Sequence, residues 1–441
     1  MSRLAPALAG ILLLSACGGV GGGGGPSAAQ SLSTMGFGLP DEIATVRVDA
    51  FERANPGVAL RMNEGAFDEQ AFLSAIAAGN PPDVVYLGRD RIGSYAARGA
   101  IQPLDDCLAR ESIPTGDFYP AARQQVRYDG RWFALPEFYN SVVLIVNNKA
   151  AREAGVDPAS IDTSDWDALA SLAKKLTKIE DGKVRRFGLH PKLPEFLPLW
   201  AKANGADLLS ADGRTPRLTD PKVVEALTYA AGLVESQGGW RRLKAFTDTF
   251  DYFGEANPFV KDQLGAMLSE QFVISAMAGS SPDADITVLP VKDRAGNPIN
   301  YVGGNAWVVP KGAANPAMAC RWIKTMTAAD TWIAAAKARQ AKRTQENKVN
   351  IGTYTGNARA DEVIFGQIVR PSGRKPFDDA VKTIRSVWGA GFSVPQTAAS
   401  AEFRSAWENA VSRVLTGRQE LRAALEQAQS ESRAAIAKAT S

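Results

Sequence analysis

The chain has 441 residues, 45% of them hydrophobic and 22% charged, which is ordinary globular usage and long enough for two to three domains. The net charge of +3 is spread along the chain and not blocked, so the sequence carries no nucleic-acid footprint. Three cysteines and one histidine are too few for a zinc or disulfide framework.

Residues 1–16 read as a secretion signal. Arg3 supplies a positive n-region, and Leu4 to Leu14 is an apolar run too short for a membrane-spanning helix. The glycine-rich stretch after it reads as a flexible leash, giving a linker over 17–30. Its GxGxxG match (Gly19, Gly21, Gly24) follows no strand and is a product of composition.

Strand and helix patterns then alternate. Ser31 to Gly38 reads as a first strand with its exit turn, and Leu39 to Asn55 as a helix stopped by Asn55-Pro56-Gly57. Val58 to Asn63 reads as a second strand and Phe67 to Ala78 as a second helix. Pro81-Pro82 marks a sharp entry to Asp83–Leu87, an apolar run of the kind buried on both faces of a parallel sheet. Arg89, Asp90 and Arg91 follow where that strand hands over to the helix Ile92 to Ala100. In open α/β sheets, ligands bind at such corners, outside the carboxyl ends of strands. The plain alternative is a surface ion-pair cluster.

Further on, Asp129-Gly130 between aromatic-rich runs predicts a hairpin. Val142 to Val146 reads as a buried strand, and Ser164 is a fair cap type for a helix starting at Trp166. Ile286 to Pro290 reads as a strand returning to the first lobe, and Tyr301 to Val309 as another strand. Helices are expected over Ala317 to Met326 and Asp330 to Ala338, with a closing amphipathic helix from Leu421 to Ala437.

The segment Pro82-Asp83, apolar strand, Asp90-Arg91, Gly93-Ser94-Tyr95 resembles the extracytoplasmic solute-binding proteins of carbohydrate ABC transporters, maltodextrin-binding members included. Asp129-Gly130-Arg131, Tyr139-Asn140, Asp165-Trp166-Asp167, Asn204-Gly205, Thr219-Asp220-Pro221, Phe259 to Met267 and Gly303-Gly304-Asn305-Ala306-Trp307 extend the resemblance over most of the chain. One departure stands out. Ser269-Glu270-Gln271-Phe272 occupies the place where the family has Gly and Trp, so the usual stacking tryptophan is missing.

The resemblance implies an α/β, periplasmic-binding-protein-like fold: two α/β lobes joined by a multi-strand hinge, with a ligand cleft between them. It divides the chain into 31–138 plus 287–312 for the first lobe and 139–286 plus 313–441 for the second. It implies a substrate-binding protein that captures a sugar or oligosaccharide by hinge closure and delivers it to the membrane subunits of an ABC importer. It is expected to act as a monomer, with no cofactor, metal or nucleic acid. Leu14-Ser15-Ala16-Cys17 resembles a lipobox, which implies an acylated Cys17 and anchoring to the outer face of the bacterial cell membrane.

By family position the implied ligand contacts are Glu64, Asp90 and Arg91 of the first lobe, with backbone donors at Gly303 and Gly304. From the second lobe come Tyr139, Asn140, Glu195, Glu270 and, as a stacking plane, Trp388. Gly303-Gly304 equally reads as a bulge, and Trp388 as core. Cys107 and Cys320 fall in different predicted lobes and read as free buried thiols, with a disulfide between them the lesser alternative.

Two alternatives stay open. The same fold with Arg89 and Arg91 admits a polyol, a glycerol phosphate or a peptide. A glycan-active enzyme is the other: the chain has no GxSxG, HExxH or P-loop, but glycosidase carboxylates are set by distance in the fold.

Overall fold

The computed structural model describes residues 31–440, so the signal segment 1–16, Cys17 and the linker through residue 30 lie outside the described residues. Three parallel strands open the chain: β1 Ser31–Met35, β2 Ala59–Asn63 and β3 Val84–Gly88. Between them run α1 Glu42–Ala54 and α2 Glu69–Ala77. Each begins at an aspartate, Asp41 or Asp68, whose carboxylate accepts a backbone N–H of the first turn. The helix α3 Ile92–Ala97 follows β3, and α4 Asp105–Arg110 and α5 Pro120–Gln125 lead to the hairpin β4 Arg127–Tyr128 and β5 Arg131–Trp132. Asp129 and Gly130, both with positive φ, make its turn.

The strand that organises the molecule is β6, Leu135–Asn147. The remaining strands are β7 Lys178–Glu180, β8 Lys183–His190, β9 Leu264–Glu270, β10 Ile286–Pro290, β11 Asn300–Val308 and β12 Gly391–Phe392. Among the described residues they form one ten-stranded sheet in the order β2-β1-β3-β11-β6-β9-β8-β7, with β10 also on β6 and β12 on β11. Its register shows two half-sheets laid end to end. β11 pairs with β6 over Leu135–Ser141, whereas β9 pairs with β6 over Val142–Val146. β6 therefore leaves one half and enters the other near Ser141.

The strand directions decide where a ligand can sit. β3 ends at Gly88 beside Asn305 of β11, which lies beside Glu137 of β6. From the other side β9 ends at Glu270 beside Val142, and β8 runs parallel to β9. The carboxyl ends of both half-sheets thus converge on one junction, where side chains beyond the strands face a shared cleft.

Each half has its own core. In the first, Phe37, Phe51, Trp307 and Trp322 pack edge to face, with Phe51 and Trp322 centroids 4.9 Å apart. In the second, α6 Trp166–Leu176 and α7 Pro221–Ser236 contribute to a large cluster around β6, β8 and β9. The chain then supplies α8 Pro316–Thr327, α9 Ala329–Gln345, α10 Ser400–Leu415 and α11 Leu421–Thr440.

Three expectations need correction. β10 pairs with Val143–Asn147 of β6, so it belongs to the second half and does not return to the first. The cap of α6 is Asp165, not Ser164: its carboxylate accepts the Ala168 N–H at 2.9 Å. Cys107 and Cys320 are not free thiols but a disulfide, with Cα atoms 5.7 Å apart. Cys320 sits on α8, which joins the first half's core beside Met318, Trp322 and Ile323. A boundary drawn at residue 313 had parted two helices that pack together.

Candidate functional site

The first half brings three loops to the junction. After β1, Gly36-Phe37-Gly38 turns into α1. After β2 comes Glu64, whose carboxylate accepts the Leu39 N–H at 3.3 Å and so holds the first loop against the second. After β3 come Arg89, Asp90 and Arg91, whose three side chains part company. Arg89 is buried and turns under the hinge, where it donates to the Phe138 carbonyl at 2.8 Å and to the Gly303 carbonyl. Burial pulls its guanidinium down to about 10. Arg91 pairs with Glu69 of α2 at 2.5 Å and lies over the Phe67 ring. Asp90 reaches across to Arg404 of α10, 2.7 Å away.

From the second half, Glu270 points into the junction. Burial pushes its carboxyl up, while Lys192, the Asn140 amide, Arg404 and Arg89 oppose that shift. A Cβ at Gly303 would stand 3.1 Å from Glu270 Oε1. Gly303 and Gly304 form a bulge: the β11–β6 register shifts between Gly303 and Asn305, and Gly304 has φ +143°. A side chain on Gly304 would lie 2.8 Å from both Arg89 Nη2 and the Phe138 carbonyl, so this position requires glycine.

The remaining nominees fall into two groups. Asn140 lies at the junction, where its amide lowers the pKa of the Glu270 carboxyl against the effect of burial. Glu195 is half-exposed beyond β8, with Lys192 3.9 Å away. Tyr139 and Trp388 lie elsewhere. Tyr139 is 1% exposed, stacked on Tyr119 at 4.3 Å, and its hydroxyl donates to the Trp388 carbonyl. Trp388 packs between Tyr119, Tyr354 and Phe365. Both serve an aromatic cluster beside the hinge strand, Tyr139 fully buried and Trp388 half-buried.

Ring planes come instead from residues that sequence reasoning missed. Phe253 and Phe272 are exposed and stack parallel, with centroids 6.1 Å apart. Phe272 lines a cavity of about 370 Å³ with Gly38, Asp41, Asn140, Gln271 and Arg339. This cavity draws walls from both halves and suits a small polar ligand in size.

A seam closes one end of the cleft. Gln396 accepts the Gly93 N–H at 2.7 Å and donates to the Arg89 carbonyl at 3.1 Å. Ser94 Oγ accepts the Ala401 N–H at 2.9 Å, and Arg98 pairs with Glu402. With Asp90–Arg404, these contacts tie α3 of the first half to α10 of the second.

Residues 47–341 match the family model described as bacterial extracellular solute-binding protein. The chain belongs to that family. A curated relative of this family member, the maltotriose-binding protein of Pyrococcus abyssi, is 24% identical over 263 residues, which are 59% of this chain and 53% of the relative. The chain therefore spans about half the length of that relative. The solved structure of CpMnBP1 with mannotriose bound superposes with a TM-score of 0.72 at 25% identity, over 91% of this chain and all of that one. The maltose/maltodextrin-binding domain from Bdellovibrio bacteriovorus bound to maltotriose gives 0.68 at 20% identity, over 92% and 100%. The two-lobe fold of these solute-binding proteins is thus that of the present chain, and the Pyrococcus and Bdellovibrio proteins are named for binding their sugars. Among the described residues, no helix is long and apolar enough to cross a membrane.

Proposed function

We propose that this solute-binding protein captures a sugar or oligosaccharide between its halves and delivers it to the membrane subunits of an ABC importer, without transforming it. The observation that carries this reading is the convergence of strand ends from both halves on one cleft. There Glu64, Asp90, Asn140, Glu270 and Arg404 offer fixed polar partners for hydroxyls, and Phe253 and Phe272 offer planes for sugar ring faces. A ligand touching both halves favours the state in which they meet, so binding draws the cleft shut along the α3–α10 seam. The closed form would then dock on the importer as a monomer.

The protein would work outside the cytoplasm, tethered through an acylated Cys17. The Cys107–Cys320 disulfide supports that compartment, since such bonds persist where conditions are oxidising.

The test is calorimetric titration with mannose- and glucose-based oligosaccharides of two to four units. A micromolar site corresponds to about 8 kcal/mol. Glu270→Ala removes a buried charged partner and is expected to weaken binding at least tenfold, as loss of about 1.5–3 kcal/mol implies. Heat that saturates with one sugar class and is lost in Glu270→Ala supports the reading. Silence across the panel, or steady consumption of a glycan, overturns it.

A further inference from the structure

A second cavity, of about 1110 Å³, shares no lining residue with the 370 Å³ one and adjoins the Asp90–Arg404 end of the cleft through Pro395 and Gln396. One wall is α5 and the hairpin β4–β5 of the first half. The other is the loop around Gly213, the segment 395–398 and the end of α11. Four guanidinium groups line it, two from each half: Arg123 and Arg127 on one side, Arg214 and Arg433 on the other.

Against them stand only two acidic lining residues, Asp129 and Asp212. The Asp212 carboxylate is already held by the Ser210 hydroxyl at 2.5 Å and the Arg214 N–H at 3.1 Å. Both bonds fall on one carboxylate oxygen and, with the Arg214 charge, keep Asp212 ionised, so it offsets one of the four positive charges. Arg127 donates to the Gly130 carbonyl at 2.7 Å and leans over the Trp132 ring. The side chains of Arg123 and Arg433 make no ion pair or hydrogen bond among the described residues.

The wall is also set in place. Gly213 has φ +73°, and any side chain there would collide with the Gln396 carbonyl. Gln396 in turn is fixed to Arg89 and Gly93 of the first half. Bringing the halves together therefore gathers positive charge from both into one crevice. Like charges so gathered repel, and an anion between them reverses the sign of that interaction. Guanidinium forks match phosphate oxygens two at a time.

We propose that this crevice is a second binding site, for a soluble anion built of linked phosphate groups, bridging Arg123 and Arg127 of the first half to Arg214 and Arg433 of the second. A single inorganic phosphate is too short to engage all four at once in a cavity of this size. A chain of several phosphates can meet both pairs.

The probe is sodium tripolyphosphate, titrated calorimetrically into the purified protein at fixed ionic strength without divalent cations. One saturable site is expected. Arg123→Gln and Arg433→Gln are each expected to weaken it about tenfold. Both residues are partly or fully exposed, so both variants should melt like the parent, and a mannotriose titration should be unchanged in each. The last readout separates failure of this site from failure of the sugar cleft. Heat that does not saturate, or an affinity equal to the parent in both variants, overturns the proposal. Loss in only one variant refutes the bridging between halves.

Discussion

Glu137→Ala is expected to destabilise the fold by about 3–5 kcal/mol, because it strands a buried charge. Glu137 and Arg47 pair at 2.9 Å with side chains 0% and 2% exposed. Burial pushes the Glu137 carboxyl up, and Arg47 with the Trp307 indole pulls it back. Arg47 also donates to the Ile43 and Met326 carbonyls and lies 4.0 Å over the Trp332 ring. The pair thereby joins α1, the start of α9, β6 and β11 directly beneath the junction. Removing one partner leaves a guanidinium that cannot reach water. Removing both, as in Arg47→Met with Glu137→Met, should cost less than the sum of the single changes. Denaturant unfolding of the three variants checks this. Additive losses would show that the two side chains act independently.

The second large effect lies in the disulfide. Replacing Cys107 and Cys320 by serine should cost about 2–5 kcal/mol, since the bond closes a loop with a sequence separation of 213. It joins α4 to α8, the two segments of the chain that build the first half. Without it, that half is held by the β11–β3 pairing, by hydrogen bonds such as Asn315 N–H to Asp83, and by core packing. Guanidinium midpoints of the parent and of Cys107→Ser/Cys320→Ser read the effect. Equal midpoints would mean that the bond adds nothing to stability.

The first half was largely legible from its sequence because its signals are local. Pro81-Pro82 before an unbroken apolar run marks β3, and Asn55-Pro56-Gly57 marks the end of α1. The corner holding Asp90 follows from the same pattern. The hinge was less legible. A strand alternates its faces, so neighbours such as Tyr139 and Asn140 look alike in sequence, yet one is buried on Tyr119 and the other meets Glu270. The pairing of Cys107 with Cys320 depends on a chain return that no local signal carries. The same holds for the Asp90–Arg404 pair, whose partners lie more than 300 residues apart. Phe253 and Phe272 form a platform only through contact in space.

The account stands or falls on where a sugar binds. Amide hydrogen exchange, with and without millimolar mannotriose or maltotriose, reads that most directly. One of these sugars should slow exchange at the exits of β1, β2 and β3 and at 269–273, with the seam around Gly93 and Ala401 protected as well. The hairpin β4–β5 should exchange at the same rate in both conditions. Protection confined to the hairpin and the end of α11, or none at either side of the junction, would contradict a sugar cleft between the two halves.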